Sequence, residues 1–210
     1  MLNKFGARSP LAAVVLLTFA LALVVAGCSS SGGGVGGALS RVFGQAFAPE
    51  TNGAQTNAVP LADGDVILLI YDEAGNIVSG QVGTTDADGN FVVDVQAQPV
   101  IAIIVQGMTN DGDVEISGLY NPDQPTIEKD LDPATSIACT AGISAIEDDS
   151  ITEEQLDEAR VLNLEDASAE YIVANPDFDF YNQADVDAAV AAVRSATNDG
   201  ANPAAPGAFT

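Results

Sequence analysis

Between Asp65 and Gly107 four apolar runs alternate with turn-forming residues, and no other stretch limits the fold of this chain so tightly. Val66-Ile67-Leu68-Leu69-Ile70 comes first, and a second run lies between the turns Asp72-Glu73-Ala74-Gly75-Asn76 and Thr85-Asp86-Ala87-Asp88-Gly89-Asn90. Val92-Val93-Asp94-Val95 and Val100-Ile101-Ala102-Ile103-Ile104-Val105 complete the set. Short β-branched runs separated by Asp, Gly and Asn predict an antiparallel β-domain, because branched side chains fit a pleated surface and those turn residues tolerate tight hairpins. Val66–Ile70 and Val100–Val105 are nearly continuous, as expected of central strands buried on both faces. Asp113–Tyr120 places apolar residues at Val114, Ile116 and Tyr120, the period of a strand with one wet face. Arg41–Ala48 reads as a first strand and Pro49–Pro60, rich in polar turn residues, as a loop. Six or more short strands at this spacing favour a sandwich.

Hydrophobic residues make up 47% of the 210, so a core is available, but aromatics are 6% and Trp is absent; Val, Ile, Leu and Ala must build it. Tyr71, Tyr120, Tyr171 and Tyr181 are scattered in sequence, which argues against a ring platform for stacking sugars. The chain has no His, which removes Ser-His-Asp and Cys-His catalysis and His-ligated zinc. It carries 30 acidic residues against 6 basic, a net charge of −24. Such a surface repels nucleic-acid phosphates, so a nucleic-acid partner is excluded. Solubility, adaptation to high salt and loose divalent-cation binding are the ordinary readings of that excess.

After Asn121-Pro122-Asp123-Gln124-Pro125 the grammar becomes helical. Asp132 is placed to cap a helix with Pro133 in its first turn, and Ala134, Ile137, Ala138, Ala141 and Ala145 share a face. Cys139 beside that stripe has no basic cluster to activate it and is expected to be buried and structural. Thr152-Glu153-Glu154-Gln155 is a capping box that predicts a helix edged by Leu156, Ala159 and Leu162. A further helical piece is expected over Glu165–Ala174, stopping at Asn175-Pro176. Asn182 caps a last helix with Asp185 three residues on, a Val186, Ala189, Val190, Val193 stripe, and Arg194 and Gly200 near its end. Residues 201–210 read as a disordered tail.

The N-terminus is of a different kind. Lys4 and Arg8 precede an apolar run from Leu11 to Val25, shorter than the ~20 residues that span a bilayer comfortably. It ends in Val25-Ala26-Gly27-Cys28, which resembles the lipobox of bacterial lipoproteins. That resemblance implies removal of residues 1–27 as a signal peptide and acylation of Cys28, so the partner there is the membrane itself. Two or three acyl chains anchor stably, since each buried methylene contributes ~0.8 kcal/mol. Ser29-Ser30-Ser31-Gly32-Gly33-Gly34 opens a flexible Gly/Ser tether, taken as residues 28–40. In the Gram-negative version of the family, Ser29 in place of Asp implies passage to the outer membrane.

Val42-x-Gly44, Ala62-x-Gly64-Asp65-Val66-x-Leu68, Asp72-x-x-Gly75 and Thr85-Asp86-Ala87-Asp88-Gly89-Asn90-Phe91 together resemble the carboxypeptidase regulatory-like domain. The resemblance covers residues 42 to about 107 and implies a transthyretin-like, Ig-like Greek-key sandwich, an accessory module of secreted and surface proteins. The chain departs from the pattern in its long insert after the first strand and in Asp65, where Ala is usual. The expected architecture is therefore α+β: an antiparallel β-sandwich over 41–120, then a small helical segment over 121–200.

Asp86-x-Asp88-x-Asn90 carries two readings. The oxygens have the one-three-five spacing that opens a calcium loop, but Phe91 stands where such a loop needs Gly and Ala97 where it needs Glu. The same residues serve a hairpin, with carboxylates accepting turn amides and Gly89 or Asn90 accepting positive φ. The turn reading outweighs the metal reading, and Asp86, Asp88 and Asn90 stay as weak metal candidates. The expectation is a lipid-anchored envelope protein without catalysis or cofactor, binding a protein or polysaccharide ligand or supporting the cell surface. The alternatives are a calcium-stabilised adhesion module and a glycoside hydrolase using paired carboxylates.

Overall fold

In chain order the strands are β1 (Leu39–Gln45), β2 (Phe47–Asn52), β3 (Gln55–Pro60), β4 (Asp65–Tyr71), β5 (Ile77–Thr84), β6 (Asn90–Gln96), β7 (Ile101–Thr109), β8 (Gly112–Tyr120) and β9 (Thr126–Glu128). Three helices follow, α1 (Pro133–Glu147), α2 (Glu158–Ala174) and α3 (Gln183–Thr197). The computed structural model describes residues 39–52, 55–71, 77–96, 100–121 and 125–209. Cys28, the tether before Leu39 and the turn Asp72–Asn76 lie outside them.

The two runs without alternation take the middle of a four-stranded antiparallel sheet ordered β5-β4-β7-β8, with Leu68 opposite Ile103 and Val105 opposite Ile116. The period of two explains why alternation is missing. Val66, Leu68 and Ile70 join Ile101, Ile103, Val105, Ile116 and Tyr120 on one face. Ile67, Leu69 and Tyr71 join Ala102, Ile104 and Leu119 on the other. Both faces are covered, so both parities must be apolar.

A second sheet, ordered β6-β1-β9, supplies the first cover, contributing Val42, Phe91, Val93 and Val95 to the shared core. β6 alternates buried Phe91, Val93 and Val95 with exposed Val92 and Asp94, as a strand with one wet face should. β1 pairs β6 antiparallel, but β9 joins β1 in parallel, so the architecture is not antiparallel throughout. That parallel approach is close: a Cβ on Gly44 would lie 1.9 Å from the Lys129 carbonyl oxygen, and glycine is what permits it.

The helices supply the second cover. Ile137, Ala138, Ala141, Leu164, Ala189 and Val193 pack with Leu69, Ala102, Ile104 and Leu119 in a single core. Burying Ile137 completely is worth about 1.5–3 kcal/mol. The result is mixed α+β with sheet, sheet and helices in three layers, and the helical stretch shares its core with the middle sheet. Among the described residues, no helix is long and apolar enough to cross a membrane.

α1 begins as its sequence requires, with Asp132 Oδ1 accepting from Thr135 N at 2.8 Å and Thr135 Oγ1 accepting from Asp132 N at 2.8 Å. Its Ser136 hydroxyl accepts from Ser117 N at 2.9 Å, which covers the outer edge of β8. Here one expectation fails. β8 keeps a wet face only at its start; Ser117 and Leu119 are buried because α1 lies over them.

Three other departures have identifiable causes. Residues 49–60 are not a loop: β2 and β3 form a hairpin from Phe47 opposite Pro60 to Asn52 opposite Gln55, with Ala48 fully buried at its base. Backbone pairing and that anchor outweigh poor strand propensity. The capping box at Thr152 forms, Gln155 Oε1 accepting from Thr152 N at 2.9 Å, yet it starts only a 3-10 turn over Glu153–Gln155. Leu156 leaves that turn to bury itself completely, and Asp157 then caps α2, which runs unbroken through both of the pieces read from the sequence. Finally, residues 201–209 are not a loose tail. Phe209 packs edge-on against Tyr171, centroids 5.5 Å apart, removing a ring from water.

Candidate functional site

α2 ends at Asn175 because Pro176 cannot continue it, and the cap is well made: Asn175 Nδ2 donates to Tyr171 O at 2.8 Å. The loop from 175 to 182 then turns back on itself. Phe178 N donates to Asn175 O at 2.9 Å, Tyr181 N to Asp179 Oδ1 at 3.0 Å, and Asp179 N to Asp185 Oδ2 at 3.2 Å. These bonds hold three aromatic residues of the loop against one another and against α2. Tyr171 meets Phe178 at 6.1 Å and 89°, Phe178 meets Phe180 at 6.5 Å and 65°, and Phe180 meets Tyr181 at 6.4 Å and 84°. The Tyr181 hydroxyl donates to Pro49 O and shares a 2.9 Å hydrogen bond with Thr109 Oγ1, tying the loop to β2 and to the end of β7.

Between loop, α1 start and β2 lies a groove of about 360 Å³, walled by Pro49, Pro133, Ile172, Phe178, Phe180 and Tyr181. Asn175, Pro176 and Asp179 complete its rim. Burial pushes the Tyr181 hydroxyl above its ordinary acidity range; the Thr109 bond opposes this, and Asp111, Glu50 and Asp179 add to it. The surroundings are therefore negative. The tyrosines are not scattered in space: Tyr171 and Tyr181 come together with Phe178, Phe180 and Phe209. Tyr71 and Tyr120 instead serve opposite faces of the middle sheet. The signal that could have revealed this is Phe178-Asp179-Phe180-Tyr181 two residues after the helix-stopping Pro176.

A second cleft, about 350 Å³, lies where β8, the segment from β9 to α1, and α2 meet. Lys129 is its centre. Lys129 Nζ donates to Leu119 O at 2.9 Å, sits 5.3 Å from the Tyr120 ring centroid, and forms an ion pair with Glu165 Oε1. Burial raises the Glu165 carboxyl above its ordinary range, and Lys129 partly restrains it. Tyr120, buried beneath, is pushed well above its ordinary value for the same first reason. Sequence reading gave no role to Lys129 or Glu165. They are distant in sequence, and nothing local marks a surface Lys as one that will be covered.

Hydrolysis by paired carboxylates needs two acids that converge and are partly buried. Glu128, Glu158 and Glu165 line the Lys129 cleft, but Glu128 and Glu158 are exposed and Glu165 is neutralised by its lysine.

Asp86, Asp88 and Asn90 come together as a turn, but not the hairpin expected: it carries the chain from β5 to β6, which pair in different sheets. Asp86 Oδ1 accepts from Asp88 N at 2.9 Å, Asn90 N at 2.9 Å and Asn90 Nδ2 at 3.0 Å, and Oδ2 accepts from Asn90 Nδ2 at 2.9 Å. Asn90's side chain, then its backbone amide, holds the Asp86 carboxyl below its usual range. Gly89 has φ +77° and Phe91 enters the core, while Asn90 does not need positive φ. Among the described residues, no three Asp, Glu, Cys or His side chains converge on a metal position. Cys139 is buried, and burial pushes its thiol up to about 12.

In comparison with known proteins, no family model matches the chain and no curated protein does. Among solved structures, a 9R-lipoxygenase from Cyanothece PCC8801 matches at 12% identity and a TM-score of 0.31, over 68% of this chain. The chain spans 27% of that structure's length, and a likeness so slight carries no argument about fold or activity.

Proposed function

We propose that the protein is a lipid-anchored component of a bacterial cell envelope whose folded body has a binding or structural role without catalysis. The observation that carries this is Val25-Ala26-Gly27-Cys28 behind a basic, apolar leader, followed by a Gly/Ser stretch. The body is a transthyretin-like sandwich in this reading. In support, the chain passes directly between the two facing sheets after β5, β6 and β8, and from β1 to β4 by way of the β2–β3 hairpin, an interleaving that a Greek key also has. The absence of His from the sequence and the neutralised Glu165 support a role without chemistry. A calcium-stabilised module is less well supported, because the Asp86 oxygens already accept turn amides.

Mass spectrometry of the protein extracted from membranes tests the anchor. Acyl chains on an amino-terminal Cys28 are expected, and Cys28→Ser should release the protein into the soluble fraction. An unmodified terminus upstream of Cys28 would overturn the reading.

A further inference from the structure

We propose that the aromatic groove beside the 175–182 loop receives a lysine or arginine side chain from a basic segment of a partner protein. The inference deepens the binding reading above and rests on it for its setting, while the groove's chemistry is independent of the anchor. Four features converge on a cation. The rings of Phe178, Phe180 and Tyr181 are half-buried on the groove wall, and aromatic faces attract positive charge. α2 ends at the groove through Ile172 and its cap Asn175 with no basic residue in its last turn, while the positive end of α1 at Pro133 already has the Asp132 carboxylate as its cap. Asp179 stands on the rim, and Glu50 and Asp111 add negative potential at Tyr181. Pro49, Pro133 and Pro176 give an apolar surface on which the methylene stem of Lys or Arg can lie.

The chain does not fill this demand itself. Among the described residues Arg41 pairs with Asp94, Lys129 with Glu165, Arg194 with Asp148 and Asp199, and Arg160 donates to Asp199 O. The molecule already uses the same chemistry once, where Lys129 sits over Tyr120 beside a carboxylate. A net charge of −24 steers basic partners toward the whole surface, and the groove gives one side chain a place to stop. At about 360 Å³ it takes one or two side chains.

The test uses full-length protein in non-ionic detergent, titrated with acetylated tetra-arginine amide, with uncharged tetra-citrulline and a glucose tetrasaccharide as comparisons. Saturable binding of the arginine peptide alone is expected, with amide shifts concentrated in Phe178–Asn182 by NMR of the unaltered chain. Phe180→Ala should weaken binding by about tenfold, and Asp179→Asn by about threefold. Asp88→Asn, outside the groove, should leave it unchanged. Phe180→Leu keeps apolar packing without the ring, so an equal loss there assigns the effect to the ring and not to unfolding. Affinity that ignores Phe180 and Asp179 and follows ionic strength alone would overturn the proposal. So would shifts in Phe178–Asn182 produced by the tetrasaccharide and not by the peptide. Acylation at Cys28 is read separately by mass, so either proposal can fail without the other.

Discussion

Lys129→Met tests the largely covered ion pair of the second cleft. The substitution keeps the length of the side chain and removes its charge, leaving Glu165 without its countercharge and Leu119 O without its donor. Removing one partner of a buried ion pair costs about 3–5 kcal/mol. The two side chains retain 19% and 16% of their exposure, which places this pair at the low end, about 3 kcal/mol. The stranded carbonyl adds about 1 kcal/mol. For a body of this size the sum corresponds to a fall in Tm of roughly 10 °C.

The deficit must depend on pH with a definite sign. Burial raises the folded-state Glu165 carboxyl above its ordinary 4.5, and loss of Lys129 raises it further. An acid raised in the folded state binds more protons there than in the unfolded chain. Stability from this group is therefore present below 4.5 and is lost as pH rises through the folded value. The variant should be most deficient at neutral pH and approach the unaltered protein near pH 4.5. Circular-dichroism melts of both proteins across that range measure it. Lys129→Met combined with Glu165→Leu should recover to within about 1 kcal/mol of the parent, because an apolar pair can replace a buried ion pair. Equal melts of parent and single variant at neutral pH, or a double variant no better than the single, would refute the reasoning.

Two further outcomes follow from packing. Gly44→Ala places a methyl 1.9 Å from the Lys129 carbonyl oxygen and should cost at least about 3 kcal/mol by prising β9 from β1. Gly80→Ala on exposed β5 meets nothing within 4 Å and should be neutral or stabilise by up to about 1 kcal/mol in denaturant titrations. A costly Gly80→Ala or a tolerated Gly44→Ala would contradict the placement of these strands. Raising the Cys139 thiol from 9.0 to about 12 lowers its thiolate fraction on the order of a thousandfold. Alkylation of the Cys139 peptide, followed by mass spectrometry, should therefore be negligible in native protein and rapid in denaturant.

The sequence by itself determined what local chemistry can write. Continuous apolar runs at Val66–Ile70 and Val100–Val105 identified the two inner strands, since only a strand covered on both faces needs apolar residues at both parities. Asp86 and Gly89 wrote a tight turn, though not the sheet-to-sheet crossing it makes, Asp132-Pro133 and Asn182 wrote helix starts, and each of these depends on bonds within a few residues. What lies on those faces was decided by tertiary structure. Leu156 broke a correctly written helix start because a fully buried leucine stabilises more than one further helical turn. Thr51 and its polar neighbours became a hairpin because backbone pairing does not require apolar side chains. Tyr171, Phe178, Phe180, Tyr181 and Phe209 became one aromatic wall, and Lys129 met Glu165, because those contacts join residues that share a place only after the helices dock on the middle sheet. Long-range packing has no local spelling: Phe178-Asp179-Phe180-Tyr181 hinted at an aromatic cluster, but the groove walls from Pro49 and Pro133 and the Lys129 cleft could be found only once the chain was folded.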